Sequence, residues 1–215
     1  MNIKDRIYKQ IRNEIIYGKL MPGERLPEVK LSEALGCSRA PLREAFNQLE
    51  KEGFVYRIQN QGVVVSKSSP EEIIDYYSLL EVLERQAVEW ATNRLTSGDI
   101  NRLNDLNDSM KKVSTKDKKY IEKWVSLNLA FHRFFSEKCG NAKMIWLVEE
   151  IRLRITRFRY LSFMLTTFND YIHDHEIIIE AVRQRDAVKA RAAMENHIAR
   201  AKKVLLKHFF YMPEA

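Results

Sequence analysis

The 215-residue chain is 45% apolar and 30% charged, enough to bury a core and too apolar for a disordered chain. Its 7 glycines and 5 prolines argue against a turn-dense β fold, and no apolar run approaches the roughly 18 residues of a membrane span, so a cytoplasmic protein without membrane association is expected. The formal net charge of +7 suits an anionic partner, but residues 1–66 hold 11 basic and 8 acidic side chains and the remainder 25 and 21, so a nucleic-acid reading has to rest on placement.

From the start of the chain, Ile3, Ile7, Ile11 and Ile15 recur every four residues, a helical stripe closed by Gly18. The stretch "KLMPGERLPEVK" carries Pro22-Gly23 and Pro27 and reads as a turn-bearing linker. A short helix is predicted over 28–35, with Leu31, Ala34 and Leu35 inward and Gly36 as its left-handed stop. Ser38 is the expected N-cap of a third helix, on which Leu42, Ala45, Phe46 and Leu49 face inward and which Gly53 ends. The runs "FVYRI" and "GVVVS" flank "QNQG" as a hairpin.

Three short helices and a hairpin make a winged helix-turn-helix, whose third helix can lie in a DNA major groove. Arg39 and Arg43 stand four residues apart and point the same way, with Ala40 and Asn47 on or near the same outer face and Ser38 at its start. One guanidinium can take a guanine edge in bidentate fashion while the other clamps a phosphate. Gln61 and Gly62, at the wing tip, can approach backbone or minor groove. For an arbitrary helix the same two arginines would read as a solvated face beside Glu44 and Glu50.

Residues 17–65 resemble the DNA-binding domain of the GntR family of bacterial transcription regulators, through "GKLMPGERLPE", "LSEALGCSRAPLREAF" and "LEKEGFV". The resemblance implies operator contacts from Ser38, Arg39 and Arg43, with Gly62 at the wing. Where some relatives use an arginine after the glutamate that opens the second helix, this chain has Val29, and Lys30 is the candidate replacement.

After "SKSSP" the pattern is helical throughout, with helices expected near 71–96, 98–113, 117–138, 142–165, 168–184 and 186–210, Ser97 and Asp186 serving as caps. Cys37 and Cys139 fit no disulfide or metal-ligand framework. Asn128 and His132, one turn apart, share a stripe with Trp124, Phe131 and Phe135. His175 is in register with Tyr171, Ile172, Ile178 and Val182, and His197 with Ala193, Met194, Ala201 and Val204. Each histidine alone also fits a hydrogen-bonded core residue. Three converging buried imidazoles need partners, and a divalent ion, zinc or nickel foremost, supplies a shared one. His173 is two residues from His175 and points elsewhere. In "IRLRITRFR", Arg154 lies at the edge of the apolar stripe and is the candidate for an effector carboxylate, a surface arginine being the alternative.

"NLAFHRFFSEKCGN", "HEIIIEAVRQRD" and "ARAAMENHI" resemble the signature stretches of the FCD ligand-binding domain, the all-helical partner in one GntR subfamily. In its metal-binding members an Asp or Asn and three His are ligands, which here fall on Asn128, His132, His175 and His197; acyl-CoA-responsive relatives hold no metal. The expectation is therefore a mainly α protein. It has a winged helix-turn-helix over 1–66, a linker over 67–70, and an antiparallel helical bundle over 71–215 that binds effector and dimerises. Functionally it is a regulator of a palindromic double-stranded DNA operator, working as a homodimer, whose affinity a small organic acid controls through a metal-containing pocket. A direct metal sensor and, less favoured, a metal-dependent enzyme are the alternatives.

Overall fold

The computed structural model describes residues 2–59, 62–67, 69–113, 118–163 and 168–210, with 118–119, 157–163 and 208–210 by backbone alone. The chain forms two compact units, Met1–Ser69 and Pro70–Ala215.

The first unit contains α1 (Ile3–Ile16), β1 (Arg25–Leu26), α2 (Glu28–Ala34), α3 (Arg39–Lys51), β2 (Val55–Ile58) and β3 (Gly62–Val65). Ile7, Ile11 and Ile15 of α1 are buried, as are Leu42, Ala45, Phe46 and Leu49 of α3, and α1 packs on α3. Ile3, at the first turn, is 43% exposed. The segment read as a plain linker supplies a two-residue strand. β1 pairs antiparallel with β3 (Arg25 opposite Val64), and β3 pairs with β2, so the sheet order is β1-β3-β2. Two residues are too short for any periodic signal to reveal.

Two further expectations are corrected. On α2 the buried residue is Ser32, whose hydroxyl donates to Val29 O at 2.8 Å, while Ala34 is exposed and Leu31 and Leu35 are half-buried. Ser38 does occupy the N-cap position of α3 but makes no side-chain cap bond. Pro41, at the third helical position, has no N–H, which removes one of the two donors such a cap can use.

The second unit is a bundle of α4 (Pro70–Thr92), α5 (Ser97–Lys111), α6 (Lys118–Lys138), α7 (Ala142–Phe163), α8 (Asn169–Arg183) and α9 (Ala187–Phe210). α4 packs against α6, α7 and α9; α8 packs against α5 and α9. α4 ends at Thr92, four residues before the expected boundary, and the cap of α5 is Thr96, not Ser97. Thr96 accepts from Asp99 N at 3.2 Å while Asp99 accepts from Thr96 N at 2.8 Å, a reciprocal capping box. Asp186 accepts from Lys189 N at 3.0 Å and caps α9 as expected. Position 117 and positions 164–165 of the expected helices lie outside the described residues. Among the described residues, no helix is long and apolar enough to cross a membrane.

Candidate metal centre and nucleic-acid interface

The bundle brings three histidines from three helices to one place. His132 on α6, His175 on α8 and His197 on α9 are 0–1% exposed, and their ligand atoms all lie within 4.8 Å of one another. Asn128, one turn before His132, is equally buried, and its Oδ1 has no hydrogen-bond partner among the described residues. An amide oxygen left so costs about 1–3 kcal/mol. Phe131 stacks on the His175 ring at 4.0 Å and Trp124 on Phe168 at 4.3 Å, which helps fix the walls. His173 faces solvent beside Glu176.

Each imidazole has an oxygen close to its Nδ1. His132 Nδ1 lies 2.7 Å from Glu84 Oε2, His175 Nδ1 lies 3.3 Å from Asn107 Oδ1, and His197 Nδ1 lies 3.4 Å from Asp174 Oδ2. Asn107 Oδ1 and Asp174 Oδ2 are acceptors, so His175 and His197 carry a proton on Nδ1, and in the neutral form of each ring Nε2 keeps a lone pair. His132 Nε2 and His197 Nε2 then face each other at 3.2 Å. Two lone pairs at that separation repel unless a proton or a metal ion stands between them. Two nitrogens about 2.0–2.1 Å from one ion can be this close. An acceptor behind each ligating ring is the usual support of a metal site. The donor set fits a borderline divalent ion.

The charges around the site are paired. Glu84 on α4, 2% exposed, receives both Nε and Nη2 of Arg152 on α7, itself 4% exposed. Asp174 accepts from Arg200 Nε at 2.9 Å. Burial pushes the Asp174 carboxyl up, but His197 and Arg200 together hold it below the usual carboxylate value. Arg154 is partly exposed; it donates to Glu150 Oε1 at 2.8 Å and approaches the Tyr76 hydroxyl at 3.4 Å.

Sequence reasoning missed Glu84, Arg152, Asp174 and Asn107. Glu84 did leave a trace, as an acid within the apolar stripe of Tyr77, Leu80, Ala87, Val88 and Ala91. Arg152 likewise sits among Val148, Ile151 and Ile155.

In the first unit, Ser38, Arg39, Ala40 and Arg43 are exposed at the start of α3, and Val29 and Lys30 are exposed on α2. Arg43 Nε is bonded to Glu28 Oε2 on α2 at 2.7 Å, and the Arg43 side chain remains more than half exposed. Gly62, at the start of β3, has φ +88° and open space where a Cβ would stand; Gln61 lies outside the described residues. Arg57 on β2 ties the wing to α3. Its Nη2 donates to Asn47 Oδ1 at 2.5 Å, and its Nε and backbone N donate to Glu50 at 3.1 Å.

The profile of bacterial regulatory proteins of the gntR family matches residues 3–65, and that of the FCD domain matches 75–200. The Nta operon transcriptional regulator of Aminobacter aminovorans is 30% identical over 172 residues, 79% of either chain. The HTH-type transcriptional repressor RspR of Escherichia coli (strain K12) is 23% identical over 198 residues, 91% of this chain and 86% of its own length. Among solved structures, E. coli McbR/YncC aligns with a TM-score of 0.81 over 97% of this chain and 99% of that one, at 19% identity, and so shares the fold.

Proposed function

Because the chain belongs to the gntR family of bacterial regulatory proteins, in the branch carrying an FCD domain, and is a DNA-binding transcriptional regulator, we propose that a divalent ion and a small organic acid in its FCD domain set its operator affinity. Asn128, His132, His175 and His197 hold the ion, zinc or nickel, which supplies a Lewis acid for the effector's oxygens. Arg154 offers a second anion contact, in exchange for its bond to Glu150. The observation that carries this reading is the 3.2 Å approach of the buried His132 and His197 Nε2 atoms, each ring having a carboxylate oxygen close to its Nδ1.

On DNA, α3 enters the major groove. Arg39 and Arg43 take base edges and phosphates, Ser38 and Ala40 meet the backbone and bases beside them, Lys30 neutralises a phosphate, and Gln61 and Gly62 bring the wing to the flanking groove. The Ser38 hydroxyl suits a phosphate because it makes no cap bond. One recognition helix reads half a palindrome, so the working form is a homodimer in the cytoplasm. Leu79, Val82 and Trp90 on α4 and Trp146 on α7 are large exposed apolar side chains of the kind that interfaces cover.

The test is operator binding by fluorescence anisotropy on the promoter region of the chain's own gene, with zinc, nickel or chelator and a panel of carboxylic acids. A coupling of about 1–3 kcal/mol between acid and operator, present only with metal, is expected. Sequence-independent binding, or acid effects indifferent to the chelator, refutes the proposal. A response to metal alone identifies a direct metal sensor.

A further inference from the structure

We infer that the metal site of the FCD domain selects dianions, small dicarboxylates foremost, over monoanions, because no charge built into the site offsets that of a dication. The inference rests on the metal reading above and concerns what must complete that site. Three ligands are imidazoles, neutral when Nε2 gives its lone pair to an ion, and the fourth, Asn128, is a neutral amide.

Apart from the histidines, the buried charged residues among those described are Glu84, Arg152 and Asp174. Each carboxylate is already answered. Glu84 takes two bonds from Arg152, and Asp174 takes one from Arg200 at 2.9 Å. Both carboxylates stand behind the histidines, on the side away from Nε2, where they orient rings rather than meet an ion. Counted together with Arg200, whose side chain is half exposed, Glu84, Arg152 and Asp174 sum to zero.

A divalent ion held by the four neutral groups therefore keeps two positive charges in an interior where uncompensated charge is strongly disfavoured. A monocarboxylate removes one and a dicarboxylate removes both. An aspartate at position 128 would supply one negative charge from the protein, and a monoanion would then leave the same residue of charge that a dianion now removes. Asn128 is thus the specificity-determining position, and the Glu84–Arg152 and Asp174–Arg200 pairs keep the surroundings from doing its work.

The experiment uses the full chain loaded with zinc and measures malonate and acetate affinities by calorimetry at matched ionic strength. Zinc affinity without acid is read separately by competition with a chromophoric chelator. Malonate also binds zinc in solution, but equally for every variant, so the change in the malonate-to-acetate ratio reports the site. Relative to wild type, Asn128→Asp lowers that ratio at least about tenfold and tightens zinc, while Asp174→Asn raises the ratio by a similar factor, as expected for a unit charge a few ångströms away. Both changes are near-isosteric, and the second keeps an acceptor for His197. Ratios that move less than about threefold in both variants, with zinc bound, overturn the inference and leave the metal site standing. Failure of wild-type chain to take up zinc overturns both.

Discussion

Replacing Arg152 with Met leaves Glu84 buried without its guanidinium, and the cost follows from the geometry. Glu84 is 2% exposed and receives two bonds from Arg152, so water cannot take over. Removing one partner of such a pair costs about 3–5 kcal/mol. His132 Nδ1 stays 2.7 Å from Glu84 Oε2, a close polar neighbour that places the expected loss at the low end, about 3 kcal/mol. For a domain of this size that is a fall of about 6–12 °C in Tm. The double variant Glu84→Gln/Arg152→Met removes both charges and recovers most of the loss, because the large term is the stranded charge and not the pair itself. All three tryptophans, Trp90, Trp124 and Trp146, lie in the FCD domain, so intrinsic fluorescence in urea follows this domain alone. The midpoint should shift with an unchanged slope. A loss under about 1 kcal/mol for Arg152→Met, or a double variant as unstable as the two singles added, would refute the buried-pair argument.

Arg39→Ala and Arg43→Ala should each weaken operator binding by about 1–3 kcal/mol where they read a base, and Lys30→Ala should weaken all DNA alike and flatten the salt dependence; anisotropy against operator and scrambled duplex separates the two. A chelator should lower the FCD-domain Tm and zinc restore it, with a stabilisation of about 4 kcal/mol at a thousandfold excess over Kd, and His175→Ala should abolish the effect in a thermal melt. The Lys138 bond and the Thr96 backbone bond pull the Asp99 carboxyl from 3.8 to about 2. Its contribution to stability is therefore full above about pH 4 and is lost as pH falls toward about 2. Asp99→Asn should flatten urea midpoints across that window, and a wild-type profile already flat there would contradict the capping assignment.

What the sequence revealed and what it hid differ in kind. The α3 stripe of Leu42, Ala45, Phe46 and Leu49 and the register of His132, His175 and His197 are local periodicities, and each is visible within one helix. Glu84 and Arg152 are 68 residues apart, and no spacing rule announces a partner at that distance. The arginine run at 151–159 directed attention to Arg154, whereas Arg152, two residues earlier, is the one buried against Glu84. The missing Ser38 cap bond was legible in part, because Pro41 three residues later lacks one of the two N–H groups that such a cap uses. β1 was not, since a two-residue strand exists only through its partner β3.

The most direct test is X-ray absorption on the purified, zinc-loaded chain, counting imidazole ligands per ion. One zinc per chain, with three histidine nitrogens and oxygen completing the shell, is the predicted result, falling to two nitrogens or to no bound zinc in His197→Ala. Zinc bound through sulfur, or a shell indifferent to His132, His175 and His197, would contradict it.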